Sequence, residues 1–365
     1  MGAYITSFGT ALPKYRISQK EIAGFLLTNL NLSDEKKKET EIIFRASGIS
    51  HRHSVLKDYT ASLGSFEFFP NTHNLEPFPG VSQRMQVYKK EALKLSLEAV
   101  KQCIGKEDPQ NFTHLITVSC TGMYAPGLDF DLVKSLGLAH SIKRTAINFM
   151  GCYAAFNALK VAKDICTANA GSKVLIVCVE LCSLHFQKNL NQEDTILANA
   201  LFGDGAAALV VESDLSASIN LSLETFYCDL MVEGEQDMTW SIGDFGFEMT
   251  LSSYVPDLVK KGIKSLINSL LHELKLNTSD ISHFAIHPGG KRILEVIEQE
   301  LDIPKESNTP AYSVLKNCGN MSSPTILFVL QSIFEKLETK DKESKILGLA
   351  FGPGLTLESM LLKVC

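Results

Sequence analysis

The chain has no Cys-x-x-Cys pair, no membrane-length apolar run, no excess of positive charge and no long linker. Each absence excludes something. Nine cysteines, an odd number at irregular spacing, make neither a disulfide framework nor a zinc module. Most lie in apolar runs, as Cys178 does between Val174 and Val179, so buried free thiols in a reducing compartment are expected. Cys178, Cys182 and His185 come nearest to a metal set. No second ligand pair follows at a suitable spacing, so no metal is expected. Lys and Arg total 35 against 41 Asp and Glu, a net charge of −6, which argues against a nucleic-acid partner. No charged segment leads into a short apolar core at the start, and nothing is long enough to span a bilayer. A cytoplasmic enzyme is the expectation.

What is present is a large core: 365 residues with 45% hydrophobic content. Strand-like and helix-like patterns alternate. His114–Val118 is an apolar run closed by Gly122 and Pro126. Apolar residues then recur at Cys152, Phe156, Leu159, Ala162 and Cys166, the spacing of an amphipathic helix. Lys173–Val179 predicts the next strand, and another follows at Ala206–Val211. The segments Glu67–Gly80, with three prolines, and Glu233–Asp237, rich in acids, predict surface loops.

The order then repeats. His283 follows His114 by 169 residues, Asn320 follows Cys152 by 168, and Lys345 follows Lys173 by 172, each within a similar local pattern. Three matches in order at a nearly constant offset indicate duplication. The chain divides into residues 1–212 and 213–365, and the class is α/β with helices layered on sheets. Gly151-Cys152 and Gly319-Asn320 are equivalent helix starts in this reading, so the two should meet at the centre.

Three segments carry chemistry. Cys152 at a helix start would have its thiolate favoured by free N–H groups and the helix dipole. His287 ends a strand before Pro288-Gly289-Gly290, where close backbone approach is possible. Asn320 could donate an amide N–H to a developing oxyanion, or simply cap a helix. Cysteine, histidine and asparagine suit two reactions. In a hydrolase, His activates Cys and Asn orients His. In a carbon–carbon bond former, Cys holds an acyl thioester while His and Asn both donate to an enolate oxygen.

Six ordered motifs carry a resemblance: Phe149–Ala155, Val177–Ser183, Ala200–Ala206, Ile286–Gly290, Gly319–Ser323 and Phe351–Gly354. Together they resemble type III polyketide synthases, the chalcone synthase superfamily, bacterial branch. The resemblance implies a thiolase-like αβαβα fold of two duplicated halves, a homodimer, and coenzyme A thioesters as substrates with no other cofactor. It implies that Cys152 takes an acyl group from acyl-CoA, and that His287 and Asn320 hold malonyl-CoA during decarboxylation. Iterative condensation would follow, then closure to a pyrone, resorcinol or phloroglucinol-type product. It makes Phe202 a gatekeeper and Cys120, Cys182, His185, Trp240, Met249 and Ser322 cavity residues. Trp240 stands where plant chalcone synthases have glycine, and Met249 where they have phenylalanine. The basic residues that hold coenzyme A phosphates in plant relatives do not align, leaving Lys36, Lys37, Lys38, Arg45 and Arg52 as regional candidates. A ketoacyl-carrier-protein synthase of the single-condensation type is the runner-up, and a Cys-His-Asn thioester hydrolase stands behind it.

Overall fold

Apolar runs and amphipathic stretches alternate along the chain, and they fold in turn as strands and helices. The computed structural model describes residues 2–190 and 192–365. The strands are β1 (Tyr4–Ala11), β2 (Tyr15–Ser18), β3 (His51–Ser54), β4 (His114–Ser119), β5 (Lys143–Asn148), β6 (Lys173–Leu181), β7 (Asp204–Glu212), β8 (Leu221–Leu230), β9 (Met238–Gly243), β10 (Gly246–Leu251), β11 (His283–Ile286), β12 (Lys345–Gly352) and β13 (Thr356–Val364). The helices are α1 (Gln19–Asn29), α2 (Asp34–Ala46), α3 (Val81–Ile104), α4 (Leu128–Leu136), α5 (Ala154–Ala168), α6 (Glu193–Leu201), α7 (Val255–Glu273), α8 (Lys291–Leu301), α9 (Thr309–Cys318) and α10 (Thr325–Phe334).

Nine strands form one sheet in the order β11-β12-β13-β8-β1-β7-β6-β4-β5. Its centre is an antiparallel join of β1 and β8, where Ile5 faces Leu221. Outward from that join the two sides repeat. In each, the first two pairings are antiparallel (β1–β7 and β7–β6; β8–β13 and β13–β12) and the third is parallel (β6–β4; β12–β11). This is the duplication anticipated from the offsets. β5 extends the first side by one further parallel strand. It is a free edge, with Lys143, Arg144, Thr145, Ala146 and Asn148 exposed on both faces.

Period-two alternation sends strand residues to opposite layers. In β6, Val174, Ile176 and Cys178 join the core around α5 and α10. Their neighbours Leu175, Val177 and Val179 pack with Tyr88, Ala92 and Leu95 of α3. Helices α5 and α10 are central, each touching strands of both halves, while α7 lies on β8, β13 and α8. α5 turns Phe156, Leu159, Ala162 and Cys166 inward, and α10 is apolar nearly all round, as a doubly covered helix must be. Among the described residues no helix is long and apolar enough to cross a membrane.

One loop departs from expectation. The Glu67–Gly80 segment is not merely surface. Phe69 and Phe78 are buried and stacked 6.0 Å apart, against Phe186 and close to Phe25 of α1. The buried carboxylate of Asp58 takes the N–H groups of Glu67, Phe68 and Phe69 at 3.0, 2.9 and 2.7 Å. That satisfies the backbone polar groups and lets an aromatic loop join the core. Aromatic residues outweigh the prolines here, because proline sets backbone direction and says nothing about burial.

Because α5 is the shared wall of both halves, its largest apolar side chain is a sensitive probe. Phe156→Ala should cost about 3–5 kcal/mol, read as a lowered denaturant midpoint with an unchanged slope.

Candidate active site

Cys152, His287 and Asn320 come from three separate regions and meet on one cavity of about 240 Å³. Cys152 lies in a tight 3-10 turn, Gly151–Tyr153, that feeds α5. Gly151 has φ +76°, and a Cβ there would come within 2.2 Å of Pro353. Glycine is therefore required for the chain to turn under the Phe351–Gly354 loop. Burial pushes the Cys152 thiol up to about 11, while hydrogen bonding to Ser322 and Asn320 pulls the other way.

His287 continues β11 by one rung, its N–H donating to the Leu349 carbonyl at 2.8 Å. The ring stands edge-on to Phe351, with centroids 5.8 Å apart. It is fully buried, and neither ring nitrogen has a partner among the described residues. Burial lowers its pKa to about 3, so the imidazole is neutral. Two open ring nitrogens in a buried cavity are unusual, and they face a space that a substrate could fill.

Asn320 corrects the sequence reading. It does not open a helix: α10 begins at Thr325 behind Pro324, which has no N–H to extend the helix backward. Instead Asn320 forms an isolated bridge with Phe202. Its N–H donates to the Leu201 carbonyl, and its carbonyl accepts from the Gly203 N–H, both at 2.9 Å. The Ser322 N–H donates to Asn320 Oδ1 at 2.8 Å, which settles the amide orientation. Both amide atoms stand 3.8 Å from Cys152 Sγ, and Nδ2 also reaches toward the Gly289 carbonyl at 3.5 Å. So the two duplicated positions do meet, although only Cys152 adjoins a helix start.

The cavity residues anticipated from the resemblance all line it: Phe202, Cys120, Cys182, His185, Trp240, Met249 and Ser322. Trp240 and Met249 face each other across the β9–β10 hairpin. The Trp240 indole N–H donates to the Cys120 carbonyl at 2.8 Å, fastening the hairpin over the cavity. His185 is spoken for. Its Nε2 donates to the Thr121 carbonyl at 2.7 Å, its Nδ1 accepts the Phe247 N–H at 2.9 Å, and its ring stacks on Phe247 at 4.2 Å. Burial lowers its pKa to about 3, and it serves as a wall. Among the described residues no group of three or more His, Cys, Asp or Glu could hold a metal ion.

The five basic candidates separate. Lys36, Lys37, Lys38 and Arg45 lie on α2 and do not line the cavity; Lys36 pairs with Glu39 at 2.7 Å, and Lys38 and Arg45 are exposed. Arg52 does line it, but is only 4% exposed and bonds to Gln19 and the Phe202 carbonyl.

Two acids escaped the sequence reading. Glu180 is buried at the end of β6. It accepts from Ser323 Oγ at 2.7 Å, Cys120 N at 2.9 Å and Thr121 Oγ1 at 2.8 Å. It therefore ties the Asn320 loop to the end of β4. Burial pushes its carboxyl up to about 7, against those hydrogen bonds. Asp204, likewise buried, accepts from Ser183 N and Oγ and from Val55 N, and burial raises it to about 6. The available signal was an acid directly inside an apolar strand run, as in Val177-Cys178-Val179-Glu180-Leu181.

The comparisons agree with this layout. Residues 2–215 match the N-terminal domain of chalcone and stilbene synthases, and residues 219–365 match the C-terminal domain. The chain is 30% identical over 370 residues to "Alpha-pyrone synthesis polyketide synthase-like Pks18" of Mycobacterium tuberculosis, covering 99% of this chain and 91% of that one. It matches "Probable polyketide synthase 1" of Dictyostelium discoideum at 30% identity, but spans only 11% of that protein. Among solved structures it superposes on PKS-I of the brown alga Ectocarpus siliculosus with a TM-score of 0.90 at 30% identity, covering 100% of this chain and 99% of that one. The C-terminal type III polyketide synthase domain of Dictyostelium Steely1 gives 0.90 at 26%, with the same coverage. The fold is therefore the thiolase-like one of these enzymes. The chain belongs to the chalcone and stilbene synthase family of type III polyketide synthases, condensing acyltransferases that work on coenzyme A thioesters without a further cofactor.

Proposed function

We propose that the protein loads an acyl-CoA starter on Cys152 and extends it by repeated decarboxylative condensation with malonyl-CoA. The observation that carries this is that Asn320 makes no hydrogen bond to His287. Its Oδ1 is held by Ser322, its amide lies against Cys152 Sγ, and neither His287 ring nitrogen has a partner among the described residues, so Asn320 does not orient His287 as a hydrolase would require. His287 and Asn320 are left as two donors on one cavity.

Loading begins with the Cys152 proton passing to His287. Burial makes either charge costly alone, but a thiolate and an imidazolium formed together in one cavity offset each other. The thiolate attacks the starter carbonyl, and coenzyme A leaves with the proton. In malonyl-CoA the bond to the carboxylate then breaks and CO₂ departs. The electron pair moves into an enolate whose oxygen accepts from one His287 N–H and Asn320 Nδ2. The enolate carbon attacks the Cys152 thioester and the Cys152 thiolate leaves. The chain, two carbons longer, returns to Cys152 for another round.

The Trp240 indole, fixed to the Cys120 carbonyl, forms part of the cavity wall on the hairpin side. We take the product to be a pyrone, resorcinol or phloroglucinol-type ring, its size bounded by that wall. The exposed cations Lys38 and Arg45 on α2 are our candidates for the coenzyme A phosphates, outside the cavity. The free edge of β5 is the natural seam for a homodimer, because an uncovered strand edge is a template for pairing. We place the division between the halves near residue 212, before β8, and the enzyme in the cytoplasm, where its nine free thiols would stay reduced.

Incubation with acyl-CoA starters and labelled malonyl-CoA, read by mass spectrometry, tests the reaction. Cys152→Ala should lose the acyl adduct while retaining malonyl-CoA decarboxylation, and His287→Ala should lower decarboxylation by about 10²–10³-fold. No polyketide from any starter, with decarboxylation indifferent to His287, would sink the proposal. Extension from malonyl-carrier protein but not malonyl-CoA would favour a ketoacyl synthase instead. Trp240→Gly should move the product spectrum of a given starter toward longer or bulkier products; an unchanged spectrum would remove Trp240 from the product-determining wall.

Glu180 yields a stability test. Its folded pKa, about 7, lies above the ordinary glutamate value of 4.5, so the folded state holds the proton more tightly. Its carboxyl contributes least as pH rises through 7 and the buried group must ionise. Glu180→Gln should therefore gain on the wild type between pH 4.5 and 7, by up to about 3 kcal/mol, and level off above. Denaturant melts across that range check the slope.

A further inference from the structure

Arg52 has surroundings that the reaction leaves unexplained. It lies in β3, beside the main sheet, and is 4% exposed. Nε donates to Gln19 Oε1 at 3.0 Å, and Nη1 donates to the Phe202 carbonyl. Nη2 has no partner among the described residues. Its partners are neutral. Asp204, whose field reaches it, spends its oxygens on Ser183 and Val55. Burial lowers the guanidinium only to about 10, so it stays charged at neutral pH. A buried cation without a carboxylate partner is costly, and such groups persist where something depends on them.

What depends on it lies at the end of α6. Three successive carbonyls there are each captured by a different element. Gln19 Nε2 takes Ala200 at 2.7 Å, the Asn320 N–H takes Leu201 at 2.9 Å, and Arg52 takes Phe202. Gly203 N–H closes the bridge back to the Asn320 carbonyl at 2.9 Å. The stem of Arg52 packs against Gly319, where a Cβ would stand 2.8 Å from Arg52 Cγ and 2.8 Å from the Leu201 oxygen. Arg52 thus touches both sides of the bridge that carries Phe202 and Asn320.

We infer that Arg52 is a positioning residue for the condensation: it clamps the Leu201–Gly203 segment to Asn320 and keeps a buried positive charge one backbone bridge from the enolate site. Its near-complete burial separates it from a phosphate-binding role at the surface. The inference rests on the proposed malonyl-CoA reaction. In the step concerned, the bond to the malonyl carboxylate breaks, CO₂ leaves, and the electron pair forms the enolate that Asn320 receives. A displaced Asn320, or a missing positive field, raises the barrier to that step, while starter loading, to which Asn320 contributes only a 3.8 Å contact with Cys152 Sγ, still runs to completion.

The experiment compares Arg52→Gln, Arg52→Lys and Gln19→Met with the wild type in three measurements: starter-free malonyl-CoA decarboxylation, the Cys152 acyl adduct by intact mass, and thermal melting. Wild-type decarboxylation is the control for the underlying reading, and its absence would count against that reading alone. For Arg52→Gln the expected result is a kcat for decarboxylation lowered about 10–100-fold, KM within about threefold, and full acylation of Cys152. Arg52→Lys should recover part of the loss through its charge, and Gln19→Met should show a smaller loss in the same direction. An unchanged kcat in folded Arg52→Gln would overturn the inference. So would a rise confined to KM, which would mark a coenzyme A contact, or equal losses of acylation and decarboxylation with a lowered melting temperature. Should Arg52→Gln not fold, an unchanged kcat in Gln19→Met overturns it as well.

Discussion

The site depends on a backbone bridge, the paired hydrogen bonds that join Leu201 and Gly203 to Asn320. α6 ends there and α9 ends there, one from each half of the chain. The bridge sets Asn320 opposite Cys152 and Phe202 beside it, and it leaves the amide side chain free to be oriented by Ser322. Glycine at 203 and 319 is what lets the strands approach: added Cβ atoms would meet the Cys318 carbonyl at 2.9 Å and the Leu201 carbonyl at 2.8 Å. Gln19, Arg52 and Glu180 then fasten its surroundings from three directions.

Burial gives the cavity its electrostatic character. Cys152 and Cys182 are raised, His287 and His185 are lowered, and Glu180 and Asp204 are raised, in every case chiefly because charge is disfavoured away from water. Neutral thiols and imidazoles in the ground state suit a reaction whose negative charge is transient. Donors already aimed at one position lower the energy of an enolate without reorganising, and a dry wall protects it from protonation. The Trp240–Cys120 bond and the stacked His185 and Phe247 rings keep that wall rigid.

The fold was largely legible in the chain because its signals are local and repeated. Apolar runs such as His114–Val118 and Lys173–Val179 became β4 and β6 with ends extended by one or two residues. The constant offsets anticipated a sheet whose two sides repeat around the β1–β8 join. The aromatic loop at Glu67–Gly80 was less legible, since what covers it comes from α1 and from Phe186, far along the chain. Asn320 was misplaced at a helix start because Pro324, four residues on, decides where α10 can begin.

The residue sequence by itself determined the α/β alternation, the duplication and the identities of a thiol, an imidazole and an amide in ordered motifs, since each of these is encoded over a few neighbouring positions. Only the tertiary structure decided which way the Asn320 amide points, that Arg52 is buried against the Phe202 carbonyl, and that Glu180 spans two halves. The Arg52 and Glu180 contacts join residues more than a hundred positions apart, and the Asn320 amide is placed by a backbone bridge to Leu201 and Gly203. Short-range pattern carries no information about them; packing of the two half-sheets around α5 and α10 does.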